Sequence, residues 1–184
     1  MRNLKKKIIS LFLVLMMLPT TGGPVFADTN TKGISFSAGL DAAVLQTTDG
    51  GKTLTMTVTS SQPVKTYSLG YDIVYDAEAF SLEKVAGDGA SLVLTDGDVN
   101  YENGRVGWIF ASDAVTTDTL GVITFKVKEG VKAGKYAFGV KNLQLADNWG
   151  ADKYEKSGSA ETSLQILEVE KAADYTAYFG SPSA

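Results

Sequence analysis

Apolar and polar residues alternate with period two over most of the chain. Leu54-Thr-Met-Thr-Val58 interleaves aliphatic and hydroxyl side chains. Tyr67 to Tyr75 puts Tyr67, Leu69, Tyr71, Ile73 and Tyr75 on one side and Ser68, Gly70, Asp72 and Val74 on the other. Successive Cβ atoms of a strand project to opposite sides of the pleat, so this pattern predicts half-buried strands. Arg105 to Ala111 repeats it, with Val106, Trp108 and Phe110 assigned to the core side and Gly107, Ile109 and Ala111 facing outward. Gly121–Val127, Lys135–Val140, Leu143–Leu145 and Ser163–Leu167 read the same way.

Turn residues punctuate these runs. Asn103-Gly104, between Val99–Tyr101 and Arg105–Ala111, predicts a type I′ hairpin, because both central positions of that turn need positive φ. Asp49-Gly50-Gly51 predicts an earlier hairpin joining Ala43–Thr47 to Lys52–Thr59, and Gly130 to Gly134 carries another turn. Helix is confined to one turn at Asp76–Phe80 and to the tail Val169–Phe179. Short strands with turn signals every ~8–12 residues predict a sandwich or jelly roll rather than alternating β and α.

The N-terminus follows a different rule. Arg2, Lys5, Lys6 and Lys7 precede an apolar run from Ile8 to Leu18, then the helix breakers Pro19, Gly22 and Gly23, then small residues at Val25 and Ala27. That order predicts a secretory signal peptide over residues 1–27, cut before Asp28. The 11-residue apolar run is too short for a membrane span, which takes about 20. Leu18-Pro-Thr-Thr-Gly22 matches a wall-sorting pentapeptide, but it lies in the leader instead of near the C-terminus. A domain over residues 28–168 and a tail over 169–184 remain. The tail shows neither an apolar anchor nor a sorting signal, so the expectation is an extracellular protein without covalent attachment.

Cleavage changes the charge. It leaves 13 of the 17 Lys and Arg residues against 21 Asp and Glu, a formal charge of −8 instead of −4. An acidic surface disfavours nucleic acid and anionic membranes as partners. The chain has no cysteine and no histidine. Ser-His-Asp and Cys-His catalysis and ordinary zinc sites are therefore excluded. Carboxylates remain, but a glycosidase pair needs two held about 5–10 Å apart in a cleft. Asp96-Gly-Asp98 and Asp113 with Asp118 could hold calcium in loops, yet neither follows the twelve-residue EF-hand pattern. The reading is a non-catalytic chain with no cofactor of its own. Trp108 and Trp149 raise the alternative of a carbohydrate-binding module. Trp108 is in phase with the core residues Val106 and Phe110, and Trp149 alone in a turn makes a poor sugar platform.

Tyr75–Phe80, Gly104–Asp113, Leu120–Val127 and Leu145–Asn148, four segments in this order, resemble those of the cohesin family, receptor modules through which scaffold proteins of cellulosomes capture dockerin-bearing enzymes. Tyr75-Asp-Ala-Glu-Ala-Phe80, followed by Val85 and Gly87, is similar to that family's YDP-x-x-L/F step, with Ala77 in place of the proline. Gly104-Arg-Val-Gly-Trp-Ile-Phe-Ala-Ser-Asp113 resembles its glycine-led strand ending F-A-x-D, and Leu120–Val127 its G-x-L-x-x-I-x-F-K-V strand. Leu145-Ala-Asp-Asn148 resembles the loop after its penultimate long strand. The resemblance spans about Thr31 to Leu167 and implies an all-β, nine-stranded sandwich with jelly-roll topology. It also implies a dockerin-bearing partner, with calcium carried by the dockerin. The partner would dock on one flat sheet face comprising Ser68, Gly70, Asp72, Val99, Tyr101, Gly107, Ile109 and Ala111, with Asn148 at the rim. One cohesin type carries Asn and Asp where this chain has Ser68 and Gly70, so the resemblance does not carry that type's specificity over to this chain. Arg105 is expected at the margin, as a rim charge beside the Asn103-Gly104 turn.

Overall fold

A computed structural model describes residues 34–109, 114–146 and 156–169. Ten strands occupy them: β1 (Phe36–Leu40), β2 (Val44–Gln46), β3 (Thr53–Thr66), β4 (Ser68–Val74), β5 (Phe80–Ala86), β6 (Val99–Asn100), β7 (Arg105–Ile109), β8 (Val115–Val127), β9 (Gly134–Ala146) and β10 (Lys156–Leu167). They form two sheets, ordered β1-β3-β8-β5 and β2-β10-β9-β4-β7-β6. Every pairing is antiparallel except β2 with β10. The expected all-β jelly-roll sandwich is present, with ten strands among the described residues instead of the nine expected. Among the described residues no helix is long and apolar enough to cross a membrane.

Alternation fills the space between the sheets. Leu54, Met56 and Val58 of β3 and Ile123 and Phe125 of β8 are fully buried. They meet Leu69 and Tyr71 of β4, Val106 and Trp108 of β7, and Phe138, Val140, Leu143 and Leu145 of β9. Phe80, Phe125 and Phe138 stack edge to face, at centroid separations of 4.8 and 5.1 Å, the arrangement aromatic quadrupoles favour. Tyr71 is the largest fully buried side chain, and burial raises its phenol pKa. A Cβ on Gly121 would collide with the Tyr71 hydroxyl, so only glycine leaves room for that ring.

Three local expectations fail, each for a tertiary reason. Asp49–Gly51 is a turn, with Asp49 paired to Lys52 at 2.7 Å, but it closes no hairpin. Both edges of β3 are taken by β1 and β8, so β2 crosses to the other sheet and pairs with β10. The runs 135–140 and 143–145 are one strand, β9, interrupted by a bulge. The two-residue I′ turn is replaced by a four-residue loop, Tyr101–Gly104, because Asn100 pairs with Arg105. Gly104 alone takes positive φ there (69°). The turn at Asp76–Phe80 forms as expected, with the Asp76 carboxylate accepting the N–H groups of Glu78 and Ala79. The expected leader 1–27 and the tail beyond Val169 lie outside the described residues.

Candidate partner-binding face

The outer surface of the six-stranded sheet is built from β4, β7 and β9. Register brings their outward positions into rows. Ser68 lies between Ile109 and Ala146, Gly70 between Gly107 and Gln144, and Asp72 between Arg105 and Lys141. The parity assigned to β7 holds: Val106 and Trp108 are buried, whereas Arg105, Gly107 and Ile109 face solvent. Ile109 is 76% exposed, the most exposed large hydrophobic residue among those described. With Ser68, Gly70, Gly107 and Arg105 it lines a shallow depression of about 190 Å³. Trp108 also lines it but is 5% exposed, so it offers no flat aromatic platform for a sugar.

The other end of the face is polar and tightly organised. Between Gly70 and Asp72 β4 advances two residues while its partners on β9 run from Gln144 to Lys141. β10 shows the same mismatch, between Gly158 and Ala160. The surplus residue makes β9 bulge, and Asn142 takes a left-handed conformation (φ 51°), the one non-glycine residue to do so among those described. Bulges re-aim side chains. Here Asn142 Nδ2 donates to Asp72 Oδ2 at 2.7 Å. The Asp72 Oδ1 atom accepts from Arg105 Nη1 at 2.8 Å. These two bonds, the Arg105 one foremost, hold the Asp72 carboxyl below the ordinary carboxylate pKa. Arg105 is thereby drawn in from the margin: the nearest atom to a Cβ built on Gly70 would be Arg105 Nη2, at 3.5 Å. The guanidinium lies at van der Waals distance from where a Cβ at position 70 would be, and Gly70 is buried.

Two of the nine expected face residues belong elsewhere. Val99 pairs with Val106, and both point into the core. Directly opposed residues share a face, so a partner of Val106 has to be inward. Tyr101 lies in the loop, half-buried against the core, and its hydroxyl donates to Asp96 at 3.0 Å. Burial, and then that carboxylate, raise its phenol pKa. From β6 it is Asn100, the exposed residue between them, that turns outward, and its Oδ1 accepts the N–H of Glu102. Ala111 and Asn148 lie outside the described residues, as do Trp149 and Asp113.

The loop carboxylates are committed to local bonds. Asp98 accepts both the backbone N–H and the hydroxyl of Thr95. Among the described residues no group of three or more acidic side chains is placed to hold a metal ion. Alternation missed Lys141, Asn142, Gln144 and Ala146 on the face. Their trace in the sequence is the polar pair Lys141-Asn142 between Val140 and Leu143, one residue too many for strict period two.

No family model matches the chain, and no curated protein matches it. Solved structures do. The cohesin module of a family 33 glycoside hydrolase from Clostridium perfringens superposes with a TM-score of 0.52 at 15% identity, over 72% of this chain and 96% of that one. The CaCohA2 module of Clostridium acetobutylicum, solved in complex with a CaDoc0917 variant, gives 0.54 at 22% identity, over 70% of this chain and 96% of that one. The third ScaC cohesin of Acetivibrio cellulolyticus, in complex with the ScaB dockerin, gives 0.50 at 16%, over 68% and 94%. The chain therefore has the cohesin fold.

Proposed function

We propose that this chain is an exported, non-catalytic receptor module that binds a dockerin domain on the outer face of its six-stranded sheet. The observation carrying this reading is the flat β4-β7-β9 face, where Ile109 stands exposed among Ser68, Gly107 and Ala146 on the fold of cohesin modules. Interface cores are depleted of charge, and an exposed apolar residue ringed by small and polar ones offers a partner apolar area to cover. Three strands of one sheet fix the backbone beneath it, so docking needs no rearrangement of the receptor. The signal-like leader and the acidic composition fit an extracellular adaptor, and the absence of histidine and cysteine fits a module without catalysis. Calcium in this scheme belongs to the dockerin, and any polysaccharide is reached only through the protein that bears it.

Titration of residues 28–184 with calcium-loaded recombinant dockerin modules from the producing organism tests the reading, alongside pull-down from its culture supernatant. Saturable 1:1 binding to at least one dockerin is expected. Binding to none, with or without calcium, overturns it.

A further inference from the structure

We propose that Arg105 is the specificity-determining contact of this face and takes a carboxylate of the docking partner, with Asp72 and Asn142 as its positioning residues; the inference rests on the dockerin reading above. The starting point is the β9 bulge. Among non-glycine residues asparagine takes the left-handed region most readily, and β9 places Asn142 there at a bulge, out of register with both neighbours. The result is one bond, Asn142 Nδ2 to Asp72 Oδ2 at 2.7 Å. The other Asp72 oxygen faces Arg105 Nη1 at 2.8 Å. An arginine on an open surface ordinarily samples many rotamers. Here it is fixed at one nitrogen, and its second amino nitrogen lies over the bare backbone of Gly70.

Fixing has a chemical consequence. Guanidinium presents five N–H donors in a planar fork suited to bidentate carboxylate recognition. Asp72 engages Nη1, and the Arg105 side chain stays 46% exposed. Arg105 lines the depression shared with Ile109 and Ser68, with Nη2 beside Gly70. Among the described residues, those whose charge acts on the Asp72 carboxyl are Arg105 and Lys141, both cationic. The cluster is thus a cationic spot on a chain with 21 acidic and 17 basic residues. An ordered fork with a positive balance selects an acidic side chain and disfavours Lys or Arg at the matching point of the partner.

The test uses the dockerin that binds the wild-type chain best from a panel of recombinant, calcium-loaded dockerins, titrated at low and moderate salt. Arg105→Gln should weaken binding at least tenfold and flatten its salt dependence. Arg105→Lys, which keeps the charge but not the fork, should recover only part of the loss. Asn142→Ala should give a smaller loss with the salt slope retained, and a melting curve for each variant confirms the fold. Changing the partner's facing Asp or Glu to its amide should cost as much as Arg105→Gln, with no further loss when both are combined. If Arg105→Gln binds within twofold of wild type, the inference falls and the dockerin reading stands. If the wild-type chain binds no dockerin, both fall.

Discussion

Replacing Ile109 by aspartate separates the two roles a strand residue can have. Ile109 is 76% exposed on β7, so the free domain should tolerate the change. The cost is bounded by the β-propensity difference, at most about 1 kcal/mol, or a fall in Tm of roughly 2–4 °C for a domain this size. In the complex the balance differs. Covering the isoleucine removes on the order of 100 Å² of apolar surface from water, which at ~25 cal/mol per Å² is about 2.5 kcal/mol. A carboxylate buried there without a partner adds a desolvation penalty of several kcal/mol. The variant should therefore lose at least about 2 kcal/mol of binding, or roughly thirtyfold in Kd. Calorimetric titration against a dockerin that binds the wild-type chain measures the loss, and a thermal melt reports the fold. An unchanged Kd would remove Ile109 from the interface. A collapsed melt would mean that β7 is turned over, with Trp108 outward, which would revive the carbohydrate-binding alternative.

Gly121→Ala should lower stability by ~1–3 kcal/mol through overpacking against the Tyr71 hydroxyl; a Tyr71→Phe background should relieve part of that loss in denaturant melts. Native gels containing cellulose, starch or xylan should leave the domain's mobility unchanged, because Trp108 is buried; retardation abolished by Trp149→Ala would overturn the protein-receptor reading. Asp72 has its pKa depressed in the folded state, so the unfolded chain binds more protons around pH ~4. Its contribution to stability is full above that pH and is lost as pH falls through the folded pKa. Wild type and Asp72→Asn should accordingly converge in stability on acidification, and a constant gap down to pH 2 would refute the assignment.

Alternation was sufficient to place β4 and β7 and to aim Ile109 outward and Trp108 inward, since within one strand parity needs no partner. Where position depends on pairing, the chain alone was silent. Val99 and Val106 are directly opposed across the β6–β7 hairpin, and that register, not the composition of Val99–Tyr101, sends Val99 into the core. The Asp49–Gly51 turn was legible as a turn, but the sheet that receives β2 depends on β1 and β8 already flanking β3. Arg105 looked like a rim charge because its sequence neighbours form a turn. Its partner Asp72 is 33 residues away and its positioning residue Asn142 is 70 from Asp72.

The same register gives the face two ends. Ser68, beside Ile109, and Asp72, beside Arg105, are four residues apart on β4, about 13 Å at the rise of an extended strand. That Cα separation exceeds the ~7–10 Å beyond which substitutions usually act independently; the Arg105 guanidinium reaches over Gly70 at the depression Ile109 also lines, and it is the group through which the two ends would couple. The apolar end contributes through area removed from water, which salt leaves largely untouched. The Arg105 end contributes through charge, which salt screens within a Debye length of ~10 Å at 0.1 M. Losses from Ile109→Asp and Arg105→Gln should therefore add, and only the second should shrink as salt rises. A strongly non-additive double variant would mean that the partner engages the face as one cooperative patch, and the separation into an affinity end and a specificity end would fail.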